Sequence, residues 1–115
     1  SSNSPDFSII IKDSENQGIV SGNDEVGGII GFAQGNNFYK SGRTARAYVY
    51  IINNVNSNNV NGANYVAGMV GNSGDYFEVI RSCTNAGTIS GSGLVNQIGH
   101  PAILIEDCIE NGSVS

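Results

Sequence analysis

The sequence predicts an all-β protein, a short parallel β-solenoid of β-helix type with about three and a half coils and three short strands in each coil. Three observations lead there. Gly and Asn occur 16 times each in 115 residues. A pattern of up to twelve residues recurs four times along the chain, and a glycine-rich block follows its first three occurrences.

Composition sets the class. Gly tolerates positive φ without steric cost, and Asn tolerates the left-handed region or hydrogen-bonds its own backbone, so both mark tight corners. β-Branched residues fill the intervals, while Ala, Leu, Lys and Glu, the good helix formers, are sparse. Charged residues make up 13% of the chain and apolar residues 39%, against a usual charged fraction of roughly 25%. At 115 residues the chain forms one domain, 1–115, with a modest core.

The repeat emerges when the chain is slid along itself. The segment IRSCTNAGTISG at 80–91 aligns without gaps to IINNVNSNNVNG at 51–62, to IKDSENQGIVSG at 11–22 and to IEDCIENGSVS at 105–115. The second block reads VGGIIG at 26–31, VAGMVG at 66–71 and LVNQIG at 94–99, the last without the paired small residues and one residue shorter in the turn before it. The repeats therefore span approximately 7–50, 51–79, 80–104 and 105–115. Inserts of unequal length between well-matched blocks are what a coil tolerates, because they bulge outward as loops.

One such unit cannot bury its own apolar face, so copies must stack. With parallel strands about 4.8 Å apart, Ile11, Ile51, Ile80 and Ile105 form one ladder, and Val20, Val60, Ile89 and Val114 another. Asn16, Asn56 and Asn85 hold an equivalent turn position, where stacked amides bond along the axis. Gly31, Gly71 and Gly99 mark corners where a side chain collides or φ turns positive.

Charge excludes some functions. The net charge is −5, with only Lys12, Lys40, Arg43, Arg46 and Arg81 basic. This balance does not suit nucleic acid, which needs clustered cations for its phosphates. No apolar run approaches the roughly 20 residues that span a bilayer. Residues 1–6 are polar without signal-peptide character, and the chain starts at Ser1 without Met, which reads as a processed or excised piece.

Five residues of the 32–50 insert, Phe38, Tyr39, Arg43, Arg46 and Tyr48, form the candidate contact site. Aromatics and cations on a projecting loop suit a glycan or protein partner, and they equally suit packing over a flank of the solenoid. Cys83 and Cys108 share a repeat position in successive coils, so they read either as a disulfide or as a stacked pair of free thiols. Asn111, in the sequon Asn-Gly-Ser, is a candidate glycosylation site. His100, the single histidine, reads as a loop residue. The carboxylates Asp13, Glu15, Asp24, Glu25, Asp75, Glu78, Glu106, Asp107 and Glu110 read as turn or outward residues that keep the chain soluble. No catalytic set, cofactor site or metal site is expected: neither an EF-hand loop nor a GGxGxDxUx repeat occurs.

The stretches GIVSGNDEVGGIIG and NVNGANYVAGMVG, with the lead-in Ile80-x-x-Cys83-x-Asn85-x-Gly87, resemble GLUG-motif repeats. These occur in bacterial surface and secreted proteins, including accessory regions of IgA-specific metallopeptidases. The resemblance covers roughly residues 7–115, and the block at 94–99 departs from it. It implies a right-handed β-solenoid at the cell surface or outside the cell, working in attachment, spacing or display rather than as an enzyme. Beyond the resemblance, the last copy stops in mid-pattern without a cap. Its open strand edges then suit pairing with other protein chains, including self-association end to end into a filament. The alternative is a carbohydrate-binding or carbohydrate-cleaving β-helix using the insert.

Overall fold

The computed structural model describes residues 7–33, 36–40, 43–73, 78–100 and 104–115. The first copy of the repeat runs through β1 (Phe7–Lys12), β2 (Glu15–Asn16), β3 (Val20–Ser21), β4 (Asp24–Gly27) and β5 (Ile30–Ala33). After β6 (Asn36–Lys40), the second copy has β7 (Arg43–Ile52), β8 (Val55–Asn56), β9 (Val60–Asn61), β10 (Asn64–Ala67) and β11 (Val70–Ser73). The third has β12 (Glu78–Arg81), β13 (Thr84–Asn85), β14 (Thr88–Ser90) and β15 (Val95–Asn96), and the last has β16 (Leu104–Glu106), β17 (Ile109–Glu110) and β18 (Ser113–Val114). No helix occurs among the described residues.

Equivalent strands stack into five sheets, β1-β7-β12-β16, β2-β8-β13-β17, β3-β9-β14-β18, β4-β10-β15 and β5-β11. Every pairing is parallel except that of β6 with β7, giving a β-solenoid-like all-β architecture. The expectation of three strands per unit is too coarse. Corners such as Glu15–Asn16 pair with their counterparts as two-residue strands in their own right. The expected boundaries between repeats also cut through strands, since β7 crosses from 50 to 51 and β12 from 79 to 80.

Both apolar ladders are in register. Ile11 pairs with Ile51, Ile51 with Ile80 and Ile80 with Ile105. Val20 pairs with Val60, Val60 with Ile89 and Ile89 with Val114. Ile51, Ile80, Val60 and Ile89 are completely buried, and each such side chain contributes roughly 1.5–3 kcal/mol relative to exposure. The core divides into two clusters, one around Ile51, Met69, Val70, Ile80 and Cys83, the other around Val26, Val60, Val66 and Ile89.

Between the clusters runs a column of amides. Asn16 Nδ2 donates to Asn56 Oδ1 at 2.9 Å, and Asn56 Nδ2 to Asn85 Oδ1 at 2.8 Å. Each Asn also donates to the carbonyl two residues on, at Gly18, Asn58 and Gly87. Opposite the column sit Gly28 and Gly68. A Cβ on Gly28 would lie 2.6 Å from Asn56 Oδ1, and one on Gly68 2.6 Å from Asn85 Oδ1. The next copy's carbonyl oxygen, Gly68 O or Gln97 O, would lie closer still, at 2.3 Å, so close approach of this backbone and of the amides, rather than backbone conformation, requires glycine there.

Left-handed corners fall elsewhere. Asp13, Asn53, Ser82 and Asp107 have φ between 52° and 57° and end the first strand of each copy. Asp and Asn tolerate that region better than most residues.

The second block is corrected by one residue. Val66 pairs with Val26 and with Val95, so the third block starts at Val95, not Leu94, and no turn residue is missing. Gln97 then stands in the place of Gly28 and Gly68, and His100, rather than Gly99, in that of Gly31 and Gly71. The corner before it is rebuilt: Glu25 and Tyr65 adopt positive φ, whereas Leu94 does not.

The amide column yields a test. Asn56→Ala removes both column bonds of that layer, leaving Asn16 Nδ2 with Gly18 O alone and Asn85 Oδ1 with Gly87 N–H alone, at about 1–3 kcal/mol for each group that loses a partner. The urea-unfolding free energy is expected to fall by about 2–4 kcal/mol. A loss below about 0.5 kcal/mol would show that the column carries no stability.

Candidate functional site

The solenoid has two edges, and its uncovered apolar surface is concentrated on them. Of the nine exposed large hydrophobic residues described, Ile9, Ile10, Ile19 and Phe32 lie on the first copy and Leu104, Ile105, Ile109 and Val114 on the last. The ninth is Leu94. Ile9 is 61% exposed although its ladder partner Val49 is buried, because β1 pairs on one side only. Beside it opens an apolar groove of about 230 Å³ lined by Ile9, Ile11, Ile30, Phe32, Ala33 and Val49. An edge strand presents unpaired N–H and C=O groups, and apolar side chains around them favour strand addition.

The two edges differ chemically. Asn16 Oδ1 accepts from its own Gly18 N–H at 3.3 Å and stands at the head of the amide column. At the other end Asn85 Nδ2 donates to Gln97 Oε1 at 3.0 Å, and Gly112 N–H donates to the same oxygen at 2.9 Å. Gln97 thus supplies the last amide in the column. The residue in register with Asn85 is Glu110, which is exposed.

The predicted contact residues lie on a two-stranded antiparallel arm rather than a loop. β6 pairs with the first half of β7, placing Phe38 opposite Ala45, Tyr39 opposite Thr44, Asn37 opposite Arg46 and Lys40 opposite Arg43. The second half of β7 continues into the stacked sheet. The side chains of Phe38, Tyr39, Arg43 and Arg46 lie outside the described residues. Tyr48 is half-buried and stacks on Tyr50, with ring centroids 6.1 Å apart and planes inclined by 24°.

Cys83 and Cys108 are free thiols, the first buried and the second half-buried. Their column includes Asn54, whose side chain reaches back one copy to Ile11 O and Ser14 N, both at 2.9 Å. Cys83 Sγ reaches Ile51 O and accepts from Asn54 N–H, each at 3.4 Å, and Cys108 Sγ reaches Ile80 O at 3.7 Å. The thiols fill a bridging role that an amide fills better. Burial pushes both above the ordinary 9.0. Asn111 is exposed at the corner between β17 and β18.

Two buried polar residues escaped the sequence reading. His100 was expected in a loop and does lie outside any strand, yet it is only 4% exposed. Asn96 Nδ2 lies 2.9 Å from its Nδ1, the Tyr65 ring packs edge-on at 5.4 Å, and its Nε2 has no partner among the described residues. The amide donates to Nδ1, so the ring proton sits on Nε2. Burial holds His100 below the ordinary 6.5. Glu78 was expected to face outward but is completely buried, in register with Val49. The signal was present in the sequence: Ile80 belongs to the buried ladder, and period-two alternation puts residues 78 and 80 on one face. Asp75 lies outside the described residues. Among the described residues no three or more His, Cys, Asp or Glu side chains gather as metal ligands, and no helix is long and apolar enough to cross a membrane.

Two outcomes follow from these burials. A thiol-reactive aromatic disulfide should label Cys108 well before Cys83 in the native chain, faster as pH rises, because the thiolate attacks; equal rates would contradict the burial difference. His100 is held neutral, so its contribution to stability is complete above 6.5 and is lost as pH falls below that value, where the unfolded chain takes up the proton first. Urea midpoints at pH 7.5 and 5.5 should differ more for the natural chain than for His100→Gln. Comparison with protein-family models, with curated proteins and with solved structures found no match to this chain.

Proposed function

We propose that this chain is a non-catalytic structural or adhesive repeat module of the cell surface or the extracellular space. In this reading it is a right-handed β-solenoid of about three and a half coils that works by pairing its edge strands with other protein chains. The carrying observation is the placement of exposed apolar residues: Ile9 and Ile10 on one edge, Leu104 and Val114 on the other. Each belongs to a ladder or strand that continues through the stack and stops without a partner. The resemblance to GLUG-motif repeats supports the same reading, since it implies surface attachment or display. A second copy of the chain, or further repeats of the same kind, supplies the partner strands.

A second reading, glycan binding, is favoured by one observation. The near-parallel Tyr48–Tyr50 pair sits next to an arm that carries Tyr39 and Arg46, a combination suited to stacking against sugar faces. Saturable glycan binding that Tyr48→Ala abolishes supports this reading; no binding across a glycan panel removes it.

Light scattering over a concentration series, with electron microscopy of the same samples, tests the first reading. The weight-average mass is expected to rise above 12.0 kDa with concentration, and Ile10→Lys is expected to hold it there. A natural chain that stays at 12.0 kDa up to the millimolar range overturns the reading.

A further inference from the structure

We propose that Glu110 limits end-to-end stacking of this chain on a second copy, by placing a carboxylate where the amide column of the next molecule needs a donor. The inference rests on the edge-pairing reading above and adds its chemical control.

The occupant of the edge is argued from register. If the ladders run on across the contact, β16, β17 and β18 of one molecule lie on β1, β2 and β3 of the next. Leu104 then meets Ile10, Ile105 meets Ile11 and Val114 meets Val20; the last two repeat the Ile–Ile and Val–Val pairs that already stack within the chain. Glu106 meets Lys12, extending the ion pair that Arg81 Nε makes with Glu106 Oε2 at 2.9 Å. β16, β17 and β18 belong to three of the five sheets, and the contact uses those three.

Two positions oppose it. Asp107 meets Asp13, which already accepts from Asn53 Nδ2. Glu110 meets Asn16, and here direction matters. Along the column Asn16 and Asn56 each donate Nδ2 to the Oδ1 of the following copy, so residue 110 has to donate to Asn16 Oδ1 of the next molecule. A carboxylate only accepts, and two acceptors face one another. Ile109 meets Glu15, whose carboxylate is held by Ser57.

The chain carries a matched pair of departures at this point. Gly28 and Gly68 leave room for Asn56 and Asn85 of the copies above them. In the third copy the glycine is replaced by Gln97, whose amide occupies the column, and in the last copy the asparagine is replaced by Glu110. Either change alone would leave the column overfilled or unfinished. Together they close it inside the molecule and turn an acceptor outward.

The double substitution Gln97→Gly with Glu110→Asn restores the internal pattern and supplies the missing donor. Light scattering at pH 7, with the thermal midpoint as a check on folding, should show assembly of this variant beginning at about a tenth of the concentration the natural chain needs, or lower. The same onset in both molecules overturns the role of Glu110 while leaving edge pairing intact. Absence of assembly in both overturns the edge-pairing reading and this inference with it. Should the double variant fail to fold, Glu110→Gln, which keeps Gln97 and adds a donor, is read the same way. Adding Ile10→Lys to the assembling variant should return it to a monomer; assembly that survives it does not use the first-copy edge and overturns the proposal.

Discussion

Layers about 4.8 Å apart place every side chain of one copy directly on its counterpart in the next, and this spacing is hardest on polar groups in the interior. A buried amide without partners costs several kcal/mol. Asn is able to meet the demand because its two N–H groups point in different directions. One reaches the carbonyl two residues on and shapes the corner, while the other reaches the next Asn and joins the layers. The same side chain therefore fixes the turn within a copy and the register between copies. Shifting one strand by a residue would break the bond between layers and turn the isoleucine ladder outward.

Much else follows from that column. Gly28 and Gly68 are glycines because a Cβ there would lie 2.3 Å from the next copy's carbonyl oxygen and 2.6 Å from Asn56 or Asn85 Oδ1. The apolar core forms two clusters, neither of which includes an asparagine of the column. Outside, successive copies are tied by short polar bridges, such as Asn53 to Asp13 at 2.8 Å and Asn58 to Gln17 O at 3.0 Å. Such exposed contacts add little individually, and the stack relies on its interior. Where the interior pattern changes, at Gln97 and Glu110, the molecule changes character from a repeating interior to an edge.

The isoleucine, valine and asparagine ladders were legible because each repeats one residue type at matched positions, and gap-free self-alignment finds such positions directly. The third glycine-rich block was misplaced by one residue for the opposite reason. Its small residues are gone, and the closing Gly99 drew the alignment to the wrong frame, which backbone pairing of Val66 with Val95 corrects. The arm formed by β6 and β7 was read as a loop because an insert has no counterpart to align with. Its strands pair with each other, a local relation that a search for repeats does not detect. Glu78 was missed although alternation with Ile80 points it inward, because a carboxylate ordinarily faces solvent; His100 escaped because burial of a residue outside any strand depends on which copies lie beside it.

Composition and self-similarity alone establish an all-β chain, the existence of stacked copies and the identity of the residues on each ladder, because identical spacing brings identical side chains together whatever the path between them. The course of the chain between the ladders required the folded molecule. Five sheets rather than three strands per unit, the left-handed corners at Asp13, Asn53, Ser82 and Asp107, and the closing of the amide column by Gln97 all arise from contacts between residues a dozen or more positions apart. Such contacts depend on which atoms share a layer, and a layer exists only after the coil has closed.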